Sequence, residues 1–413
     1  MQTMIAFNEA LSLVQQAGNA RPKSVERIPL ARSAGRVLAT DLLAPLPLPP
    51  HRNSSVDGFA IRWDDLIGTP PFTLRLLGEQ FAGRNAGFVA ESGSCVLVTT
   101  GAGVPEGYDT VVMREVTERA AESVTIKRAP TARGEFVRGV GEDAQAGELL
   151  LSAGTTLDAP RIGVAAACGV DRVEVFVRPT VAVFTLGDEL RQPGEALEPG
   201  QIYDSNRPML QALLAECGIE SVSWPALPDD PNRLRAALMD AAEVFDLILT
   251  CGGVSAGDKD FLPALLQEAG KPIFWKVRMK PGMPVLFGEL GRSLYLGLPG
   301  NPVSVLATFR QLARPVLDAM QGRSDGPMAL LARLTESVSR NAGRREYRRG
   351  ALSVDENGQL WIAPNPVEAS HRLVAAARSN ALWVMDEDDA HLSAGDVVCA
   401  EAFAPILNGS SKP

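Results

Sequence analysis

The stretch Asp246-Leu247-Ile248-Leu249-Thr250-Cys251-Gly252-Gly253-Val254-Ser255 carries an apolar segment directly into a glycine turn. A short apolar run with no polar face predicts a strand buried on both sides, as in a parallel sheet covered by helices. Similar texture extends outward in both directions. On the amino-terminal side, 181–185 reads as a strand, Asn206 with Pro208 starts a helix that Gly218 stops, and a strand follows near 220. Asp230 and Pro231 cap a further helix whose apolar face includes Leu234, Leu238 and Ala241. On the carboxyl side come a helix over 261–269, a strand over 293–296 and a long helix over 302–320. Strands alternating with helices at this spacing predict a multidomain α/β chain whose 174–325 segment is a doubly wound parallel sheet.

The flanks read differently. Phe7, Leu11 and Val14 recur at helical spacing, so the opening is an amphipathic helix rather than a signal peptide. Pro45, Pro47, Pro49 and Pro50 make an extended connector. From 51 to 145 glycines and short β-branched runs predict a small β-rich domain. Asp158, Pro160 and Gly169 bracket a short helix, expected to pack with the amino-terminal helix in an elongated module that the β-rich domain interrupts. Beyond 325 the helical period fades, and Asn357-Gly358 between apolar runs marks a hairpin. The expected division is 1–45 plus 146–173 for the elongated module, 46–145 for the inserted domain, 174–325 for the α/β domain and 326–407 for a β barrel.

Composition narrows the function. The chain has 413 residues and a net charge of −9, which argues against a nucleic-acid partner, because such partners call for a basic footprint. No apolar run approaches the ~20 residues of a membrane span, so a soluble, cytoplasmic protein is expected. Five scattered cysteines without a CxxC pair suggest neither a zinc ribbon nor a disulfide framework. With three histidines, any metal is expected to be a hard cation held by carboxylates. Cys251, beside the glycine turn, is read as a small apolar residue.

In open parallel sheets ligands bind beyond the carboxyl ends of the strands. The loops leaving these strands carry Thr185-Leu186-Gly187-Asp188-Glu189, Pro228-Asp229-Asp230-Pro231, the Gly252-Gly253 turn through Ser255 to Asp260, Lys280-Pro281-Gly282-Met283-Pro284, and Leu298-Pro299-Gly300-Asn301-Pro302-Val303-Ser304. Each alone has a plainer reading as a turn or a helix cap. Together they suit a phosphate-bearing ligand with a divalent ion. Gly252, Gly253 and Ser255 would offer donors to an anion, Glu189, Asp229 and Asp260 would hold Mg²⁺, and Lys276 and Lys280 would supply positive charge. Neither a G-x-x-x-x-G-K-[ST] loop nor a complete G-x-G-x-x-G fingerprint is present. The residues by themselves stop at an Mg-dependent enzyme acting on a phosphate or nucleotide anion.

The run Cys251-Gly252-Gly253-Val254-Ser255-Ala256-Gly257-Asp258-Lys259-Asp260 resembles the GGVSxGxxD segment of the MoeA family, the molybdopterin molybdenumtransferases, to which the C-terminal part of gephyrin is related. Further family-like stretches follow the same order: Asn53-Ser54-Ser55-Val56-Asp57-Gly58-Phe59-Ala60, Thr100-Gly101-Ala102, Val104-Pro105-Glu106-Gly107, Gly141-Glu142-Asp143 and Ile202-Tyr203-Asp204-Ser205-Asn206. The resemblance spans about residues 5–405. It implies a homodimer in which 174–325 is the molybdopterin-binding domain. The enzyme would cleave adenylated molybdopterin with Mg²⁺, release AMP and place molybdenum from molybdate on the dithiolene. By motif, it makes Glu189, Asp229 and Asp260 the acids for metal and nucleotide, and Asp57, Thr100 and Asp143 the contribution of the inserted domain from a neighbouring subunit. Lys276, Lys280, Arg349 and Ser370 would face phosphate and molybdate, while Pro299 and Pro302 shape the last loop. The molybdopterin adenylyltransferase would be a partner. Three positions depart from the family pattern: Met283 where a lysine is common, Val140 in a shortened basic run, and Ala369 before Ser370. The other readings carried forward are adenylyl transfer to molybdopterin and a non-catalytic scaffold.

Overall fold

The computed structural model describes residues 1–255, 261–326 and 328–408, without the side chain of Asn408. Seven strands form its central sheet, in the order Gln2–Ile5, Gly270–Val277, Leu286–Leu290, Ser293–Leu298, Leu247–Cys251, Val181–Thr185 and Ser221–Ser223. Val181–Thr185 and Leu247–Cys251 are buried along their whole length, as their unbroken apolar texture requires. The sheet is mixed rather than wholly parallel, because Leu286–Leu290 runs antiparallel to both of its neighbours. The connections explain the reversal. Leu290 and Ser293 are joined through Gly291 at φ +55°, and 278–285 joins the other pair; both links are too short for the dozen or more residues of a crossover. The reversed strand has a consequence for function, since it returns the 278–285 loop, with Lys280, at the carboxyl ends of the parallel strands.

Helices cover both faces. Asp230 caps Pro231–Ala242 by accepting from the Asn232 and Arg233 amides, and Leu234, Leu238 and Ala241 are buried against the sheet. Across the sheet, Asn206–Glu216 packs with a long helical rod, Pro302–Thr308 followed by a π-turn (Phe309–Ala313) and Arg314–Met320. Phe7–Asn19 also belongs to this layer. Its Phe7, Ala10 and Val14 share a core with Phe309, Leu312 and Val316, and the strand before it pairs with Gly270–Val277. The amino-terminal helix therefore departs from the expected elongated module, because its apolar stripe finds a larger apolar face on the rod. Without that helix, the module consists of the Val25–Pro29 and Arg172–Phe176 pair, the Leu42–Leu43 and Leu149–Leu151 pair, and the helix Ala159–Ala167 capped by Asp158. Its small core gathers Leu30, Leu38, Leu157, Ala165, Val173 and Val175.

The inserted region forms a six-stranded sheet with Phe59, Ile61 and Val124 buried in one cluster and Ala60, Val96 and Tyr108 in another. In the carboxyl-terminal region Arg345–Val354, Leu360–Pro364, Leu330–Leu334, Val397–Ala402 and Ala381–Met385 pair in a closed ring. That closed barrel is filled around Trp383, and Gly358 at φ +79° turns the Asn357-Gly358 hairpin. Strand pairing and partly buried ion pairs help bind the barrel to the α/β domain. Met279–Lys280 pairs with Arg345 and Glu346, and Arg310, in the π-turn, bridges Glu216 and Glu401 at 2.8 Å each. No helix among the described residues is long and apolar enough to cross a membrane.

Candidate active site

Four loops meet at the carboxyl ends of the parallel strands, and backbone hydrogen bonds hold them together. The Leu186 amide donates to Cys251 O at 3.0 Å, Gly187 to Leu227 O at 3.2 Å, and Gly252 to Leu298 O at 3.1 Å. Gly252 sits at φ +95°, where a Cβ would lie 3.0 Å from Leu186 O, so this close approach needs glycine. The side-chain Nδ2 of Asn206 donates to Gly300 O at 2.7 Å and draws the fourth loop in. Beneath them Cys251 is 2% exposed, and burial pushes its thiol well above the usual range, which suits a structural role.

Where these loops face the barrel there is a cleft of about 500 Å³. Ser255, Lys280, Pro299 and Ser304 line it from the α/β side, and Arg344, Glu346, Arg349 and Ser370 from the barrel. The loop holding Ser370 docks on the last strand-end loop, since Asn301 Nδ2 donates to Ser370 Oγ at 3.1 Å and Val303 N donates to Ser370 O at 3.2 Å. Pro302 opens the following helix, and Pro299 is buried at the cleft wall, so both shape the loop. Lys280 is partly exposed, and its Nζ donates to Glu346 at 3.0 Å.

Arg349 differs from its expected role. It is 4% exposed, and its guanidinium donates to the carbonyls of Val367, Ala369 and Arg372. Burial lowers its pKa, yet a guanidinium stays charged at neutral pH. With these donors engaged, Arg349 positions the Ser370 loop and has little left for an oxyanion. Lys276 lies outside the cleft lining. Its backbone is left-handed at φ +65°, and its ammonium stands 4.2 Å from the Trp275 ring centroid. The Trp275 indole donates to Val254 O at 2.8 Å, which places this strained residue beside the glycine turn.

The acids lie on the two neighbouring loops, 187–189 and 228–230. Glu189 folds back over Gly187, and Asp188 accepts from the Asp229 amide at 3.1 Å, so the 187–189 and 228–230 loops touch. Asp260 lies outside the described residues. Among the described residues no three carboxylate, histidine or cysteine groups cluster as a ready metal cage. Asp57, Thr100 and Asp143 do not line the cleft within one chain. Asp57 accepts from the Thr100 amide at 2.7 Å and its hydroxyl at 2.9 Å, and these bonds hold its carboxyl below the usual range. Asp143 lines a smaller depression with Asn53, Arg138 and Glu142.

Models of three family regions match in sequence order: the MoeA N-terminal region (domain I and II) over residues 5–169, a probable molybdopterin binding domain over 182–319, and the MoeA C-terminal region (domain IV) over 331–403. The chain is 35% identical over 389 residues to the molybdopterin molybdenumtransferase of Haemophilus influenzae, covering 94% of this chain and 96% of that one. The chain belongs to the MoeA family. Molybdopterin molybdenumtransferase 2 of Mycobacterium tuberculosis is 37% identical over 89% of this chain and 92% of its own length. The crystal structure of a MoeA protein from Pyrococcus horikoshii superposes with a TM-score of 0.83 at 28% identity, covering 97% of this chain and all of that one.

Two residues that the MoeA-like motifs did not single out stand out in the structure. Asp204 is 1% exposed and accepts from Thr185 Oγ1 at 2.7 Å and the Arg207 amide at 3.1 Å, fixing the loop after the first parallel strand. It lies in the family-like Ile202–Asn206 stretch, so a signal was present without a role attached. Glu346, 4% exposed, faces Lys280 only because two strands 66 residues apart pair in that register. No local pattern announces it.

Proposed function

We propose that this chain is a molybdopterin molybdenumtransferase that inserts molybdenum from molybdate into adenylated molybdopterin with Mg²⁺-dependent release of AMP. The observation that carries the reading is the convergence of Lys280, Ser255 and Ser370 on one cleft at the strand ends, beside the Gly252-Gly253 turn. A lysine ammonium and hydroxyl donors in a partly enclosed cleft suit a tetrahedral oxyanion. The glycine turn lets backbone amides approach a phosphate. Within the reading, Lys280 meets molybdate, Arg349 holds the Ser370 loop in place, and Lys276 lies nearer the phosphate.

Glu189 and Asp229 fit Mg²⁺ by donor chemistry, since the ion keeps most of its waters and needs only one or two carboxylates beside phosphate oxygens. The Asp188 contact to the Asp229 amide keeps their two loops together. When bound, the ion would neutralise charge on the phosphoanhydride. We further propose a cytoplasmic homodimer in which Asp57, Thr100 and Asp143 of one subunit complete the site of the other, with the adenylyltransferase as a partner. The proposed domain division keeps 46–145, 174–325 and 326–407. The test is to incubate the chain with adenylated molybdopterin, Mg²⁺ and molybdate. Molybdate-dependent AMP release is expected; AMP addition to molybdopterin from ATP, or no reaction, overturns the reading.

A further inference from the structure

A second cleft, of about 350 Å³, opens at the other end of the seven-stranded sheet. Its wall includes Pro179, Asp246 and Arg292, each lying just before the amino end of a parallel strand. The five residues of Leu247–Cys251 separate it from the glycine turn by about 17 Å at the usual strand rise. Arg21, Lys23, Arg178 and Arg292 line it, contributed by three separate chain segments, and among the described residues Asp246 is the only carboxylate in its wall. That carboxylate already accepts from the Thr180 amide and hydroxyl at 2.8 Å each, and it stands 3.8 Å from Arg292. In a chain of net charge −9, such a concentration of cations is a local arrangement, not a general surface property.

Helix-end chemistry explains only part of it. Lys23 donates to Asn19 O at 3.1 Å and so serves the carboxyl end of Phe7–Asn19, while Arg21 donates to Arg292 O at 2.9 Å. Arg178 has no such duty. Among the described residues no carboxylate pairs with Arg21, Lys23 or Arg178, and Arg178 Nε is buried without an acceptor. Its guanidinium packs over Gly218, where a Cβ would come within 2.6 Å, so the backbone makes room for a side chain that no carboxylate among the described residues pairs with directly. Burial, and then the charges of Arg36 and Arg323, lower its pKa, with Glu220 and Glu26 acting more weakly in the opposite sense. Like charges gathered in a half-enclosed wall cost stability unless an anion joins them.

We propose that this cleft binds a phosphorylated small molecule, with a phosphate or pyrophosphate group seated among Lys23, Arg178 and Arg292. Guanidinium forks match phosphate oxygens, and several cations facing one engaged carboxylate suit a multiply charged anion better than a single carboxylate ligand. The volume lies at the lower end of small-molecule sites and favours a compact ligand over a polymer.

The test is titration of the full chain with pyrophosphate, and separately with AMP, by calorimetry at fixed ionic strength without Mg²⁺. Binding should weaken at least tenfold in both Arg178→Met and Arg292→Ala, two variants that keep molybdate-dependent AMP release unchanged, and binding should survive in Lys280→Ala. AMP or pyrophosphate binding with this dependence supports the site and tells a nucleotide phosphate from a free one. Should Arg178→Met fail to fold, Arg292→Ala, altered at the exposed rim, decides alone. Binding lost only in Lys280→Ala, unaltered by Arg292→Ala, or matched by chloride at equal ionic strength overturns the proposal. Because Arg178→Met and Arg292→Ala touch no residue of the proposed reaction, failure here is distinguishable from failure of the functional reading.

Discussion

Replacing Glu346 with glutamine should make the enzyme use molybdate at lower concentration. Glu346 is 4% exposed, its carboxylate lies 3.0 Å from Lys280 Nζ, and it also faces Arg340 at 3.7 Å. A molybdate dianion resting on Lys280 would lie ~6 Å from that carboxylate, and at a dielectric near 80 their repulsion is ~1.4 kcal/mol. Screening over a Debye length of ~8 Å removes about half of this at an open surface and less in a partly buried cleft, so the repulsion lies between roughly 0.7 and 1.4 kcal/mol. Glu346→Gln keeps the shape and removes the charge, so the molybdate concentration for half-maximal AMP release should fall about three- to tenfold. Arg340 also donates to the Arg344, Met385 and Asp386 carbonyls, which should keep the barrel strand in place. The assay is AMP release against molybdate at saturating adenylated molybdopterin, with circular dichroism to verify folding. A folded variant with unchanged or raised half-saturation would refute the idea that Glu346 opposes the anion, and would recast it as a residue that holds Lys280 in place.

Four further outcomes are expected. Met283→Lys should lower the molybdate half-saturation and Lys280→Ala should raise it, with nucleotide binding nearly unchanged; a shift in nucleotide affinity alone, seen by equilibrium titration, would count against the assignment of this loop. Asp229→Ala should abolish Mg²⁺-dependent AMP release while circular dichroism stays native, and near-normal turnover at ordinary Mg²⁺ would take it out of the metal site. Mixing inactive Asp57→Ala and Glu189→Ala proteins should restore part of the activity, and none recovered after subunit exchange is verified by mass would argue against a shared site. At alkaline pH the buried thiols should destabilise the fold. Cys95 is raised to about 12 and Cys217 to about 11, so in the unfolded chain these thiols lose protons near pH 9 while the folded chain keeps them. Unfolding free energy should then fall by ~1.4 kcal/mol per pH unit per thiol above pH ~9, flattening once the folded pKa is passed. Cys95→Ala should shallow that slope in urea titrations, and an unchanged slope would contradict the burial argument.

Local chemistry made much of the fold readable in advance. Asp158 and Asp230 cap the helices they were expected to cap, and the apolar runs expected as strands at 181–185 and 246–250 became the buried strands Val181–Thr185 and Leu247–Cys251, because capping and burial depend on a few neighbouring residues. The glycine turn and the Lys280 and Pro299 loops were visible for the same reason, since close backbone approach demands glycine and a rigid loop demands proline. Tertiary structure decided what needed distant partners. Leu286–Leu290 reverses because its two links are too short to cross over, which its own residues do not reveal. The amino-terminal helix joins the α/β core because the 302–320 rod offers an apolar face, and its stripe alone cannot name a partner. The family resemblance assigned Arg349 to phosphate and molybdate, and only folding supplies the carbonyls that engage it. Glu346 opposes Lys280 through strand register, a long-range relation that no motif encodes.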